Sequence, residues 1–336
     1  MTKVTIGLDV GGAHLKVARV ENGRVAAVRQ LACPLWEGLD QLDAALLAAD
    51  PLIREHTVCA ITMTGELTEI FESREAGVLA IVARLRERLQ GELRFFMGLK
   101  GFASPQSAIG DPLSVASANF IATALFIAQR LPKSLLIDMG STTTDIIACD
   151  RPLGLTDAER LQTGELVYTG LTRTPVASIA NRAPLAGQWQ SLARDGFATM
   201  ADVRRILGDL PEDVDQHPTA DGRGKSQAES LIRFARGFGR DAEMRHLPAW
   251  QVSANYVSER QLRSIHDGAL QVLSRPGEAI KSVVLAGIGA SHAEKIAIRL
   301  GIPAVAFGTL IDAENDQQLW ATRCAPAVAV ALLQHK

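Results

Sequence analysis

Aromatic side chains are scarce in this chain, at 5% of residues with only two tyrosines, and neither sign of charge dominates: 35 Lys and Arg stand against 37 Asp and Glu. A surface that tracks nucleic acid needs a basic face with stacking rings, so no nucleic-acid partner is expected. The four cysteines (Cys33, Cys59, Cys149, Cys324) are scattered, with no CxxC pair and no metal-ligand spacing. They read as buried reduced thiols rather than disulfides or a zinc site. Long apolar runs are missing too. Of the two most apolar segments, SVASANFIATALFIAQRL carries Asn119, Thr123 and Gln129, and CAPAVAVALL is too short to span a bilayer. Both read as helices buried between other layers. No basic region with an apolar signal core precedes KVTIGLDV, so the expectation is a cytoplasmic protein with no membrane partner.

What is present is an ordinary globular composition, 47% hydrophobic and 21% charged over 336 residues, about right for two domains. Residues 3–10 and 15–20 read as strands around GGAH, and ENGR as a tight turn into the strand VAAVRQLA. Helical spacing from Leu39 to Ala49, the short apolar strand TVCAITMT, the helix AGVLAIVARLRERLQ and the strand ELRFFMG follow. That order predicts an α/β domain with a mixed sheet. Ser114 to Leu131 is expected to be a helix crossing to a second domain, where KSLLIDMGSTTTDIIACDRPLG restarts the strand–turn–strand pattern. From about 156 to 241 the chain is polar and rich in Gly, Pro, Arg and Asp, with helical pieces such as MADVRRILGDL and QAESLIRFARGFGRD, and reads as a loop-rich insertion that shapes a substrate site. The expected division is 1–118 plus 319–336 for the first domain and 119–318 for the second, with APAVAVALL packing back on the first.

The chemistry concentrates in a repeat. TIGLDVGGAHLKVA and LLIDMGSTTTDIIA share one layout: Asp9 matches Asp138, Gly11 matches Gly140, and Lys16 falls where Asp145 sits. A Gly-rich turn between strands lets consecutive N–H groups point into one concavity that binds anions. Gly11, Gly12, Ala13 and His14 form the first candidate phosphate cradle. Gly140, Ser141, Thr142 and Thr143 form the second, with Thr144 adding another hydroxyl. Lys16 can add positive charge, and Asp9, Asp138 and Asp145 can hold Mg²⁺ directly or through water. One such hairpin alone is better read as a solvated turn; two copies favour phosphate.

Other motifs are less specific. LAGIGAS places Gly287 and Gly289 in a loop that is either a tight strand–helix connection or a nucleotide-side loop. DGRGKS is not a P-loop, because Thr219 stands where a Gly is required; helix entry and a substrate-binding role remain open for it. MTGELTEIF sets Thr64 and Glu66 just past a strand end, where open α/β sheets put ligands. Glu66 is a candidate base or metal-side carboxylate, or a plain turn residue. His14, inside the first turn, leans toward a ligand-side role, and His292, after the third loop, reads as a helix-start residue. No chemistry is assigned to His56, His217, His246, His266 or His335.

The two hairpins and the third loop, in that order, resemble the actin/sugar-kinase/heat-shock-ATPase superfamily, which implies an actin-like (ribonuclease H-like) fold of two related domains around a central cleft. AITMTGELTEIF, GELVYTGLTRTPV, FATMADVRRILGDLPED, TADGRGKS and RFARGFGRD narrow the resemblance to hydantoinase/oxoprolinase-like proteins. Within these, the chain is similar to the synthase group of methanofuran and methylofuran biosynthesis, found with tetrahydromethanopterin-linked one-carbon pathways. The resemblance implies a transferase that joins an aminomethyl-furan-methyl diphosphate to the phenol of a γ-glutamyl-tyramine-type acceptor, releasing pyrophosphate. Its partners would be those two small molecules and its cofactor Mg²⁺, with ATP possible but not favoured. In that reaction Lys16, Asp145 and Glu66 are the expected catalytic residues. Glu66 would take the phenol proton, and Arg173 would steady the glutamyl carboxylate or a phosphate. The competing readings are an ATP-dependent small-molecule kinase or hydantoinase-like amidohydrolase, and an ATP-sensing regulator.

Overall fold

The computed structural model describes residues 3–335. Six strands make the first sheet: β1 (Val4–Val10), β2 (His14–Glu21), β3 (Arg24–Ala32), β4 (Val58–Met63), β5 (Glu92–Phe96) and β6 (Phe102–Ala103). The second sheet contains β7 (Ser134–Met139), β8 (Thr144–Ala148) and β9 (Leu166–Val167). A separate hairpin, β10 (Arg182–Leu185) and β11 (Gln188–Ser191), precedes the last two strands of that sheet, β12 (Ser282–Ala286) and β13 (Ala304–Ala306). The two orders, β3-β2-β1-β4-β5-β6 and β9-β8-β7-β12-β13, follow one plan. In each, consecutive antiparallel strands lead into a pair that adds parallel beside the first of them. The repeated motif is thus the visible part of a repeated sheet.

Strands β1, β4 and β7 are buried at every position, as expected of central strands covered on both faces. The β2–β3 turn uses Asn22 and Gly23 at φ 51° and 85°, the left-handed pair that matches the twist of a two-residue hairpin. The two apolar segments form the helices Asn119–Ala128 and Ala325–His335. They share one core with Val20 and Val28 of the first sheet and with Leu136, Ile147 and Val284 of the second. Helices that are apolar all round belong between layers, and these two join the sheets. Among the described residues, no helix is long and apolar enough to cross a membrane. All four cysteines are buried free thiols.

One expectation is corrected. The helix foreseen from Ser114 to Leu131 begins only at Asn119, because Ser117 adopts φ 50°, a left-handed conformation that an α-helix cannot continue through. The helical pieces expected in the insertion are present within it. It carries the helices Met200–Leu207 and Gln227–Arg236 and the β10–β11 hairpin. Its own core joins Met200, Val203, Phe234 and Trp250, the last from the long helix Leu247–Leu273. The signal for these helices was local: Thr199 with Asp202 and Ser226 with Glu229 form capping boxes.

The C-terminal helix seats on β1 so closely that a Cβ at Gly7 would stand 1.9 Å from the Ala327 carbonyl oxygen. Gly7→Ala is therefore expected to destabilise the protein by about 1–3 kcal/mol, read as a lowered urea midpoint. An unchanged midpoint would mean that the helix does not bear on β1.

Candidate active site

Both hairpins line one cleft between the two sheets, together with Thr64, Trp36, Ser117 and Arg173. Their local geometry is the same. Asp9 pairs with Lys16 across β1–β2, and Asp138 with Asp145 across β7–β8. The Gly11 N–H donates to the His14 carbonyl at 2.9 Å and the Gly140 N–H to the Thr143 carbonyl at 2.9 Å. The turn carbonyls are tied down from behind. Gly12 and Ala13 accept from the N–H groups of Leu35 and Cys33, and Gly140 and Ser141 accept from those of Leu171 and Arg173. Among the described residues, the N–H groups of Gly12, Ala13, Ser141 and Thr142 have no backbone acceptor. Both turns therefore have donors to offer an anion. Gly170 makes the second turn possible, since a Cβ there would meet Ser141 C and Thr142 N at 2.5 Å.

Lys16 Nζ lies 3.0 Å from Asp9 Oδ2. Burial alone would lower the Lys16 pKa, but Asp9 and then Asp138 outweigh it and raise it, so the ammonium stays charged. Burial pushes Asp138 up to about 7, with Asp145 and Asp9 adding to the effect and Lys16 opposing it. Asp145 is also raised by burial. Its charge is already matched, because it is ion-paired with Arg160, which also reaches Asp157 at 2.5 Å and stacks over Phe120.

These partners bear on the metal. Asp9 Oδ1 is buried without a hydrogen-bond partner, and Asp138 is a buried carboxyl among other carboxylates. Asp9 and Asp138 suit an Mg²⁺ that takes its remaining ligands from substrate phosphates and water. Asp145 does not suit it, being engaged by Arg160. Among the described residues no group of three or more His, Cys, Asp or Glu is positioned to hold a metal unaided.

Glu66 does not line the cleft, whereas Thr64 does. Its carboxylate is buried behind Ser117, whose hydroxyl donates to Glu66 Oε1 at 2.8 Å, with Arg74 at 3.5 Å. Burial raises its pKa. Ser117 also donates to Asp157 at 3.2 Å. Ser117, Asp157 and Arg160, unread in the sequence, thus link Glu66 to Asp145 across the cleft.

A second group missed in the sequence surrounds His14. Its ring is 4.7 Å from that of His217, which is 5.1 Å from Trp36. The Arg173 guanidinium lies 4.2 Å over Trp36 and has no ion-pair partner among the described residues. Burial, then His217, Lys16 and Arg173, lower the His14 pKa well below its ordinary value, so the imidazole is neutral. His217 could not have been found from spacing, because the insertion delivers it from far along the chain. Trp36, just after β3, was accessible in principle as a lone aromatic near the first turn.

The third loop's glycines and the charged motif have packing roles, while Ile288 of that loop lines the cleft. A Cβ at Gly287 would meet the Met139 carbonyl oxygen at 2.3 Å and Asp138 Oδ1 at 2.4 Å, and Gly287 has φ 80°. A Cβ at Gly289 would meet Met139 Cγ at 2.5 Å. His292 begins its helix and bonds Asp209 at 3.0 Å. In DGRGKS, Asp221 pairs with Arg233 and Arg236, and Ser226 caps the helix Gln227–Arg236. None of that motif lines the cleft, which favours helix entry of the two open readings.

Asp138 gives a pH signature. Its pKa is raised from 3.8 to about 7 on folding, so its stabilising proton is fully held below about pH 4 and lost as pH rises through about 7. In chelator-treated protein, Asp138→Asn should remove this dependence and be more stable than the parent at pH 8, by about 1–3 kcal/mol. Urea unfolding at pH 5 and pH 8 measures it, and equal stabilities at pH 8 would contradict the assignment.

Residues 54–310 match the family model described as Hydantoinase/oxoprolinase. The chain is 30% identical over 293 residues to the (4-{4-[2-(gamma-L-glutamylamino)ethyl]phenoxymethyl}furan-2-yl)methanamine synthase of Methanocaldococcus jannaschii, covering 86% of this chain and 87% of that one. It is 29% identical over 175 residues to the protein of the same name from Methanococcus vannielii, covering 49% and 76%. Nucleotide-free acetone carboxylase, an enzyme of ATP-dependent acetone carboxylation, superposes with a TM-score of 0.53 at 11% identity, over 90% of this chain and 68% of that one. That last likeness is one of fold alone. With the repeated sheet plan, the fold is the expected α/β, actin-like one, and the chain belongs to the hydantoinase/oxoprolinase family.

Proposed function

We propose that this protein is a transferase that joins an aminomethyl-furan-methyl diphosphate to the phenol of a γ-glutamyl-tyramine-type acceptor, in methanofuran or methylofuran biosynthesis. The observation that carries this reading is kinship along most of the chain with a synthase whose name contains a phenoxymethyl-furan, the ether such a reaction makes. The C–O bond to the diphosphate breaks and its electron pair leaves with the pyrophosphate. A new bond forms from the phenol oxygen to the furfuryl carbon, and the phenol proton passes to a base.

Negative charge grows on the leaving oxygen, and preorganised donors aimed at it are worth more than donors that must reorient. The turn N–H groups of Gly12, Ala13, Ser141 and Thr142, with Lys16, supply them. Mg²⁺ held by Asp9 and Asp138 would add charge neutralisation to the leaving group. Asp145 acts through Arg160, fixing that guanidinium at the cleft wall. A phenol with a pKa near about 10 needs help to lose its proton at neutral pH. Glu66 stands behind Ser117, so it serves as a positioning residue. We assign proton removal instead to His14, which is neutral and lines the cleft. Arg173, stacked on Trp36 and without an ion-pair partner among the described residues, suits the acceptor's glutamyl carboxylate.

The competing ATP-dependent reading needs the third loop for adenine. Its glycines pack on Met139 and Asp138 while Ile288 of that loop lines the cleft; the reaction without nucleotide rests on the kinship with the synthase. The purified protein should therefore make the ether from the furan diphosphate and the phenol with no ATP present, releasing one pyrophosphate per ether. Gly140→Val, whose side chain would keep an anion from the Ser141 and Thr142 N–H groups, should lower kcat by about 100-fold, since one lost donor can cost about 3 kcal/mol. A strict ATP requirement, with ADP or AMP as coproduct, would sink the proposal.

The His14 assignment predicts its own pH profile. A base works only when unprotonated, and this imidazole is held below 6.5, so kcat/KM should fall only as pH drops below about 6.5. His14→Gln should lose about 10²–10⁴-fold in kcat and the acid limb with it. Retention of that limb would assign the proton to another group.

A further inference from the structure

The register of the first sheet sets four polar residues side by side across one face. Gln30 on β3 lies opposite Lys16 on β2, Lys16 opposite Asp9 on β1, and Asp9 beside Thr62 on β4. Gln30 is 4% exposed, Asp9 1% and Thr62 0%. Within this row the only bond made is the one from Lys16 to Asp9. Gln30 Nε2, Asp9 Oδ1 and Thr62 Oγ1 are buried with no partner. Gln30 and Lys16 both line the cleft.

An unpartnered buried amide is costly, and a methionine of similar volume would avoid that cost. The site's chemistry says what would satisfy it. An NH₂ group needs an acceptor, and it stands opposite the Lys16 ammonium, so the pair presents donors to the cleft and suits an anion. The position is fixed from behind as well, because Gln216 Nε2 donates to the Gln30 backbone carbonyl at 3.0 Å.

We infer that Gln30 is a substrate-binding residue whose side-chain NH₂ donates to a phosphoryl oxygen of the diphosphate, forming with Lys16 a subsite deeper than the two turns. This rests on the reading of the cleft as a diphosphate site. Rotation about the last side-chain torsion of Gln30 turns the NH₂ toward the cleft, and a bound phosphoryl oxygen then supplies the missing acceptor.

The test uses the full chain and inorganic pyrophosphate with Mg²⁺, measuring Kd by calorimetry and ligand-free Tm in parallel. Gln30→Met should keep or raise the ligand-free Tm, because it removes an unsatisfied donor, and should weaken pyrophosphate binding about tenfold. Gln30→Glu, which puts a negative charge beside the ligand, should weaken it further. A lowered ligand-free Tm with unchanged Kd would make the amide structural and overturn the inference. Unchanged Kd in Gln30→Met while Gly140→Val loses binding would overturn it alone, leaving the diphosphate reading intact. Failure of the unsubstituted protein to bind pyrophosphate at all would overturn both.

Discussion

The cleft is organised around one cation. Lys16 is held at 3.0 Å by Asp9 and is drawn as well by Asp138 from the opposite sheet. Two sheets that each bring a buried aspartate to the same place would repel one another without a positive charge between them. Burial is what mainly pushes Asp138 to about 7, with Lys16 opposing that rise and the neighbouring carboxylates adding to it. The arrangement leaves the cleft with unmade hydrogen bonds and incompletely balanced charge, the state in which a polyanion with its counter-ion is bound most favourably. Stability given up at this point is what ligand binding recovers.

The second turn depends on a buried polar support beneath it. Gln261, on the long helix, donates to the Thr169 hydroxyl and the Gly170 carbonyl, both at 2.7 Å. Its own Oε1 accepts from Arg204 at 2.6 Å. Thr144 donates to the Thr169 carbonyl at 2.7 Å, and Gly170 lies directly on Ser141 and Thr142. The amide of Gln261 and the hydroxyls of Thr144 and Thr169 are all partnered, so the chain fixes the turn instead of loosening it. The insertion thus does two jobs. It props the second turn through Arg204, and it delivers His217 to the first.

Across the cleft, the ion pairs Asp145–Arg160–Asp157 continue through the Ser117 hydroxyl to Glu66 and Arg74. This string crosses from one sheet's territory to the other's, and Ser117 at its middle holds φ 50°. Strained backbone of this kind persists only where its surroundings over-determine it, and here the two acceptors of its hydroxyl do so. Residues on both sides of the cleft are therefore held in register by charge and hydrogen bonding as well as by the shared helical core.

Much of the site was legible in the sequence because its signals are local. Period-two strands flank a glycine turn, so Asp9 with Lys16 and Asp138 with Asp145 follow from hairpin register once the hairpin is recognised, and the repeat follows from comparing two short strings. The two apolar helices announced their burial by having no polar face. What the sequence could not decide is which distant groups meet. Glu66 and Thr64 are neighbours on one turn, yet only Thr64 lines the cleft, because the Ser117 hydroxyl claims Glu66 from behind. Asp145 looked like a metal ligand until Arg160, from a helix beyond the strand, took its charge. His217 and Gln30 gained significance only when the insertion and the β2–β3 register brought them to the first turn. Local periodicity encodes the backbone devices; charge compensation and burial are sums over the whole fold, and tertiary structure alone decides them.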